Sequence, residues 1–277
     1  MEIKNTHLFC IAHTDPLFNL PPNTKIICTG DYKKENKFNI CHSKKSLLNK
    51  YKYTYGFAGT LFINEIIQNF NDDDYIVLMA YRKFISKKAY KPPDWQIYLN
   101  KKEIDVISLE EINKNIINQN QSYCFSHPQY IYSTIYQYNN SHIIQDFLRF
   151  IASAIDVNIL NKNDFFDFIM YPLIIPGGVE IGKYPVNVYK DIVNKLEIVV
   201  DHFLNNSKLS NYNDDYQARA VAFCIERLSS WLLIQHLQRK FNKSFIKKEI
   251  QLKSNNNLID KDCLNFNEYI GYLTCII

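Results

Sequence analysis

The chain has 277 residues, which is enough for one large domain or two small ones. Hydrophobic residues make up 47% and charged residues 22%, which excludes a mainly disordered chain, and 7 Gly and 9 Pro exclude collagen-like or linker-like sequence. The formal net charge of +4 is well below that of dedicated nucleic-acid-binding domains, so we expect no nucleic-acid partner.

Two short strands, a helix and a buried strand are predicted in the first third of the chain. Residues 8–12 and 25–28 read as the strands, and residues 32–52 as a loop with a helical turn. Apolar residues at helical spacing predict a helix over residues 57–70. Residues 75–81 then form a nearly all-apolar run, which is typical of a strand buried on both faces of a parallel sheet. A helix followed by such a strand indicates an α/β fold.

The rest of the chain is predicted to be mainly helical. A short strand is expected over residues 103–106, followed by a polar helix from Leu109. Further helices are expected over residues 141–155, with Ser141 as N-cap, 187–204 and 216–241. Three other segments are an apolar stretch over 165–175 that ends in Pro176-Gly177-Gly178, a loop over 211–215, and a tail from residue 243 that reads as short strands or as a poorly ordered extension. The buried stripe of the last helix is predicted to be Val221, Ile225, Leu228 and Leu232.

The cysteines and the apolar runs indicate a cytoplasmic protein. The 7 cysteines are scattered without CxxC spacing, as expected in a reducing compartment. The first seven residues lack the apolar run of a signal peptide, and no apolar stretch is long enough to predict a transmembrane helix.

Acidic residues before the buried strand have the letters of a metal motif but the wrong position for one. Asp72, Asp73 and Asp74 precede the strand, whereas a DxD metal site of nucleotide-sugar transferases follows it. We therefore interpret the triplet as a solvated loop and expect no metal cofactor, with a divalent ion left open. No GxGxxG or Walker sequence is present, which argues against a dinucleotide-binding or P-loop enzyme.

Cations follow the buried strand, where open α/β sheets bind their ligands. Tyr81 and Arg82 come directly after this strand, and an arginine there can neutralise a diphosphate without a metal ion. A surface Arg-Lys pair that closes the strand is the alternative.

Charged residues flank the apolar stripe of the last helix. Arg219 and Glu226 lie two turns apart, and Asp215 falls on the same flank at the N-terminus. A carboxylate that borders a buried face can act as a general base, whereas an ordinary ion-paired flank is the alternative.

Two weaker features complete the candidates. Gly178 and Glu180 lie in a glycine turn that allows a ligand to approach the backbone closely, although a plain turn fits equally well. His142 and Asp146 are four residues apart and are expected to share one helix face, either as a binding pair or as a surface pair.

Four segments, taken together, resemble a bacterial glycosyltransferase-like family long described only as a domain of unknown function, which includes galactofuranosyltransferases of surface-polysaccharide synthesis. The matching segments are residues 11–14 with 21–25, residues 29–31, residues 74–84 and residues 217–232. Tyr138, His142 and Asp146 also match a family pattern. The resemblance extends in order over about residues 7–240.

The resemblance implies a glycosyltransferase-A-like α/β fold over residues 1–242, with residues 243–277 as a C-terminal extension packed on it. It implies transfer of a sugar from a nucleotide-sugar, with UDP favoured, to a glycan or lipid-linked glycan of capsule, O-antigen or lipooligosaccharide. Peripheral contact with the inner membrane follows from such an acceptor. The nucleotide-sugar is expected to contact His13, Thr14, Thr29, Gly30, Asp31, Tyr81, Arg82 and Arg227.

The same resemblance assigns the catalytic and acceptor-binding roles. Glu226 is the first choice of general base and Asp215 the second, and Arg219 or Arg227 offsets charge on the leaving diphosphate. Acceptor contacts are expected from His142, Asp146, Gly178 and Glu180.

The alternative function is a catalytically inactive module that binds a glycan or a membrane surface. Ala80 stands where the family has histidine, which would mark lost activity. The basic surface would consist of the lysine pairs 33–34, 44–45, 87–88, 101–102 and 247–248, although codon-biased solvated surface explains these pairs as well.

Overall fold

The first three strands of the sheet are parallel to one another. A computed structural model describes residues 4–33, 35–86, 96–99, 121–210, 216–245 and 266–276. In it, β1 (Thr6–Ala12) pairs in parallel with β2 (Lys25–Cys28) on one side and with β3 (Tyr75–Ala80) on the other. The strands predicted from the sequence at these three places are confirmed.

Both faces of β1 and β3 are buried, as the apolar run predicts. Side chains alternate between the two faces, so neighbouring residues enter different cores. The main core receives Phe9, Ile11, Ile76 and Leu78, and the smaller core on the opposite face receives Cys10, Val77 and Met79.

Eight of the described strands form one sheet in the order β2-β1-β3-β4-β10-β5, with β6 paired to β10 and β9 paired to β3. The remaining two, β7 and β8, form a small antiparallel pair. The further strands are β4 (Lys83–Ser86), β5 (Gln96–Leu99), β6 (Phe125–Ser126), β7 (Gln129–Tyr130), β8 (Leu173–Ile174), β9 (Gly182–Pro185) and β10 (Ile270–Ile276).

The described helices bury their apolar side chains in the main core. They are α1 (Leu47–Thr54), α2 (Gly56–Ile66), α3 (Thr134–Asn139), α4 (Ile144–Asp156), α5 (Asp164–Met170), α6 (Val186–Asn206) and α7 (Ala220–Phe241). In this part of the chain no helix is both long and apolar enough to cross a bilayer.

One predicted helix boundary is corrected, and the structure assigns the apolar stretch over residues 165–175. The helix predicted from Ser141 begins at Ile144, because the N–H groups of Ser141 and His142 both donate to the Tyr138 carbonyl and so complete the end of α3. The apolar stretch over residues 165–175 is not one element, because it changes from α5 to the extended β8 before the glycine turn.

The last helix is buried on more than one side. Val221, Ile225 and Leu228 are buried as predicted, but Leu232 is only partly buried, while Ser229 and Ser230 are buried. The cause is that α7 packs against α1, α2, α4 and α6, so it is surrounded by helices and does not lie on a surface.

The C-terminal segment forms part of the sheet. Of the two alternatives for this tail, the strand is observed, because β10 lies between β4 and β5. The boundary predicted at residue 242 therefore divides strands of one sheet. The strand predicted over residues 103–106, the helix from Leu109 and the loop over 211–215 lie outside the described residues.

The three aspartates before β3, residues 72–74, make contacts that stabilise the fold. Asp74 accepts hydrogen bonds from the Asn5 N–H (2.9 Å) and from the His7 ring (3.1 Å), which tie the start of β1 to β3. Asp72 pairs with Lys190, and the exposed Asp73 lies 4.0 Å from Lys4. Burial acts to raise the pKa of Asp74, but the bonds from Asn5 and His7 outweigh it, and the pKa lies below its ordinary value.

Asp74→Asn is expected to destabilise the protein at neutral pH by about 1–3 kcal/mol, because the buried carboxylate loses its charge-assisted bonds. A lowered pKa in the folded state means that the wild-type advantage is present above the unfolded pKa and disappears as pH falls through the folded pKa. Melting temperatures of both proteins should therefore differ at pH 7 and converge in acid. Asp73→Asn is the control, since that exposed carboxylate should contribute little at any pH.

Candidate functional site

Side chains from β1 and β3 meet at the carboxyl edge of the sheet. Because the strands are parallel with Ile11 opposite Ala80, the residues that follow each strand are neighbours. The Tyr81 N–H donates to the Ile11 carbonyl (2.9 Å), and the His13 ring meets the Tyr81 ring edge-on with centroids 4.3 Å apart. His13 and Tyr81, both of which were predicted to contact the donor, therefore lie side by side at this edge.

Tyr81 and Arg82 form the tight turn that joins β3 to β4. Backbone bonds fix this turn: the Tyr81 carbonyl accepts from the Leu17 N–H (2.7 Å), and the Arg82 carbonyl accepts from the Ile276 N–H (2.9 Å). The Arg82 side chain is exposed, and its guanidinium lies 5.7 Å from the Tyr81 ring centroid. A fixed backbone therefore presents a cation to solvent at the strand end.

Arg219 approaches the same edge from the start of α7. Its guanidinium lies 4.8 Å from the ring centroid of Tyr55, the residue at the junction of α1 and α2. Partial desolvation and then the charges of Arg82 and Arg219 lower the pKa of His13, so this ring is mainly neutral at pH 7. None of the ion pairs formed between described residues involves Arg82 or Arg219. We call His13, Tyr81, Arg82 and Arg219 the strand-end site.

The segment after β2 lies beside the end of β1. The Thr29 N–H and hydroxyl both donate to the Ala12 carbonyl (2.9 and 3.3 Å), so this buried threonine holds the two strand ends together. Gly30 has φ +60° and lies under the Tyr51 ring, where a Cβ would be 3.2 Å from the hydroxyl. Thr14 and Asp31 are exposed at this edge. Among these residues, the exposed ones are open to a ligand, while Thr29 positions the backbone.

The glycine turn between β8 and β9 is docked on one face of α7. Three backbone N–H groups at alternate positions donate to side chains spaced i, i+3 and i+4 on the helix. The pairs are Gly177 to Glu226 Oε1 (2.9 Å), Val179 to Ser229 Oγ (2.9 Å) and Ile175 to Ser230 Oγ (2.7 Å). A Cβ on Gly178 would overlap Ser229, so only glycine permits this approach. The docking fixes the chain immediately before Glu180.

Glu226 and Glu180 form a carboxylate pair beside the strand-end site. Glu226 Oε2 also contacts the Arg227 guanidinium (3.3 Å), whose other nitrogens donate to Gln137 Oε1 at 3.1 and 2.7 Å. Arg227 is almost fully buried by these bonds, so a contact with a donor diphosphate would require it to leave them. Burial and then the charge of Glu226 raise the pKa of Glu180 to about 8, although Lys83 acts in the opposite direction.

His142 and Asp146 are buried and do not form the expected exposed pair. The His142 ring stacks on Phe223 (3.9 Å), and burial, with the Arg227 charge, lowers its pKa to about 4. Asp146 is 0% exposed, and its Oδ1 accepts from the Ser210 N–H (3.2 Å) and from Arg149 (3.2 Å). The predicted shared helix face is absent because α4 begins after His142. Acceptor binding by either residue would require its side chain to move.

Sequence reasoning missed two residues of this region and placed one beyond the described chain. Tyr55 lies next to Arg219 and Gly56 next to Glu180, and the only local signal was a glycine at the start of a helix. Lys83, which the sequence analysis considered together with Arg82, acts electrostatically on Glu180. Asp215, the second choice of base, lies outside the described residues. Within those residues no group of three or more His, Cys, Asp or Glu side chains could hold a metal ion.

Comparisons with known proteins bear on the fold. No family model matches the chain, and no curated protein matches its sequence. The chain is similar to the apo structure of WbbM, a bifunctional glycosyltransferase, with a TM-score of 0.68 and 14% sequence identity. The similarity covers 98% of this chain and 45% of that chain, so this chain spans less than half the length of the protein it resembles. The expected glycosyltransferase-A-like α/β fold is confirmed.

Proposed function

We propose that this chain is a glycosyltransferase that moves a sugar from a nucleotide-sugar donor to a glycan acceptor. The observation that carries the proposal is the convergence of Arg82 and Arg219 on His13 at the carboxyl edge of parallel strands. Open α/β sheets bind ligands at this edge, and two guanidinium groups suit the oxygens of a diphosphate. The fold similarity to a bifunctional glycosyltransferase supports the same assignment.

We propose the following roles for the side chains of this region. The nucleoside contacts His13, Thr14 and Asp31, while Tyr81 and Arg82 hold the ribose and the diphosphate. Arg219, whose charge also acts on His13, offsets the charge that develops on the leaving diphosphate. A carboxylate of the pair Glu180 and Glu226 removes the acceptor proton, and the acceptor oxygen then displaces the nucleotide from the anomeric carbon.

We further propose a UDP-sugar as donor and a surface polysaccharide of bacteria, or its lipid-linked precursor, as acceptor. Both rest on the sequence resemblance. Metal independence is proposed because the residues after β3 are cations and not a pair of carboxylates. For the alternative of a basic binding surface, Lys33 pairs with Asp15 and Lys45 pairs with Glu197, while Lys34 and the lysine pairs 87–88, 101–102 and 247–248 lie outside the described residues.

Nucleotide binding is the first test of this function. UDP, CDP and GDP are added separately, and the melting temperature is measured. UDP at a hundredfold excess over its dissociation constant should stabilise the protein by about 2.7 kcal/mol. Transfer from a panel of nucleotide-sugars is then assayed with and without EDTA, and we expect activity in both. Activity lost with EDTA and restored by Mg²⁺ or Mn²⁺ would contradict metal independence. Absence of both binding and transfer would reject the function, and binding without transfer would favour an inactive module.

A further inference from the structure

The Glu180 carboxyl lies near four elements of the structure. A Cβ built on Gly56, the first residue of α2, would lie 3.7 Å from Glu180 Oε2, which places this oxygen at the N-terminus of that helix. Glu226 of α7 and Lys83 of β4 act on it electrostatically, and its own charge acts on Tyr189 of α6. Among the described residues, Glu226, Lys83 and Tyr189 are titratable groups that interact with Glu180 from these packed elements.

This position connects Glu180 to the strand-end site. Gly56 follows Tyr55, on whose ring the Arg219 guanidinium lies, and Lys83 follows Arg82 in the chain. Glu180 thus lies near residues that adjoin the two arginines proposed to hold the donor diphosphate, and it retains some accessible surface. A group that removes a proton from the acceptor must occupy such a place.

The chain around Glu180 is held on both sides. Gly177 and Val179 are bonded to α7, and the Tyr184 hydroxyl donates to the carbonyls of Gly178 (2.8 Å) and Ile181 (3.0 Å). A backbone fixed in this way keeps the carboxyl in one location, as a reacting group requires.

Glu226, in contrast, already uses both of its oxygens. Oε1 accepts the Gly177 N–H at 2.9 Å, and Oε2 pairs with Arg227, which is itself buried against Gln137. Uptake of a proton by Glu226 would weaken its bonds to Gly177 and Arg227. The geometry suits a residue that positions the glycine turn.

We infer that Glu180 is the residue that accepts the acceptor proton, and that Glu226 is a positioning residue that holds the glycine turn and places a negative charge beside Glu180. The inference rests on the proposed function and deepens it. In the reaction, the acceptor O–H bond breaks and its proton moves to a Glu180 oxygen. The acceptor oxygen forms a bond to the anomeric carbon, and the electron pair of the anomeric C–O bond leaves with the diphosphate.

This assignment predicts a distinctive pH dependence. Burial and the Glu226 charge raise the pKa of Glu180 to about 8, and only the ionised carboxylate can accept a proton. The rate should therefore rise with pH and level off above about pH 8. Removing the Glu226 charge removes one cause of the raised pKa, so the rising limb should move to lower pH in Glu226→Gln.

The test measures transfer rate against pH in wild type, Glu180→Gln and Glu226→Gln, together with the nucleotide-induced shift in melting temperature. In Glu180→Gln the transfer rate should fall at least about a hundredfold and should no longer rise with pH. Nucleotide should still raise the melting temperature of this variant. In Glu226→Gln the rising limb of the rate should lie at lower pH than in wild type. Asp191→Asn, an exposed carboxylate of α6, is the control for the same chemical change and should match wild type.

Several outcomes would overturn the assignment. Near-normal turnover of folded Glu180→Gln would do so, as would loss of turnover in Glu226→Gln at every pH with nucleotide binding intact. If Glu180→Gln does not fold, the pH dependence of the rate in Glu226→Gln is the remaining test. A rising limb at lower pH than in wild type supports the assignment, and a rising limb at the same pH rejects it. A wild-type protein that neither binds nucleotide nor transfers sugar would reject the proposed function itself, a result distinct from an active enzyme that does not need Glu180.

Discussion

The double variant Arg82→Ala/Arg219→Ala is expected to lose about a hundredfold to more than a thousandfold in nucleotide affinity. A hydrogen bond to a charged group contributes about 1.5–3 kcal/mol, and each 1.4 kcal/mol corresponds to a tenfold change in affinity. The two guanidinium groups come from different elements, a turn after β3 and the start of α7, but both act on His13. Each single variant should lose part of the affinity, and titration calorimetry with UDP measures all three.

The pKa of His13 provides a second readout for the same variants. Because Arg82 and Arg219 both lower this pKa, their removal should move it upward toward the ordinary value of histidine, which NMR titration can follow. Arg239→Ala is the control, since this exposed arginine lies at the far end of α7, where it donates to the Gln235 carbonyl (3.1 Å). Unchanged nucleotide affinity in a folded double variant would exclude the strand-end site as the diphosphate site.

Gly182→Ala is expected to cost at least about 3 kcal/mol of folding free energy, and the variant should have a much lower melting temperature. Gly182 opens β9 with φ +140°, a conformation that other residues rarely adopt. A Cβ there would also overlap the Cys124 carbonyl and the Tyr184 hydroxyl. Neither group can move easily, because the Cys124 carbonyl accepts the Lys183 N–H (2.7 Å) and the Tyr184 hydroxyl holds the glycine turn.

Gly177→Ala separates backbone strain from steric overlap. Gly177 also has positive φ (+80°), but a Cβ there would meet nothing closer than 3.5 Å. Its substitution should therefore cost about 1 kcal/mol, the effect of conformation alone. Equal melting temperatures for the two alanine variants would show that the structure around Gly182 accommodates the Cβ without losing stability.

Local sequence patterns were sufficient for the elements whose burial follows from nearby residues. The apolar run of β3, in which polar residues do not alternate with apolar ones, predicted a strand buried on both faces. β1 is also buried on both faces, since Phe9 and Cys10 enter cores on opposite sides of the sheet. The strand-end site could be anticipated from this, because the position of Arg82 after a central parallel strand is a matter of chain order. Ser229 and Ser230 gave no such indication, although they hold the glycine turn.

Other features depend on contacts between distant parts of the chain. β9 was not predicted, since four residues beginning with a glycine have no distinctive pattern, and their pairing with β3 is what makes them a strand. Glu180 was assigned only an acceptor contact, because its proximity to Gly56 and Glu226 is visible only after the glycine turn docks on α7. His142 was expected on a helix surface, but aromatic stacking with Phe223 buries it.

The place of β10 in the sheet has a consequence for folding during synthesis. The edge of β4 that pairs with β10 has no such partner until residues 270–276 have been made, and most of the chain precedes them. A pairing of such high sequence separation forms slowly, because a long loop must close before any contact offsets the entropy lost. Until then an incomplete sheet presents an unpaired strand edge, which is the kind of surface on which nascent chains associate with one another or are bound by chaperones.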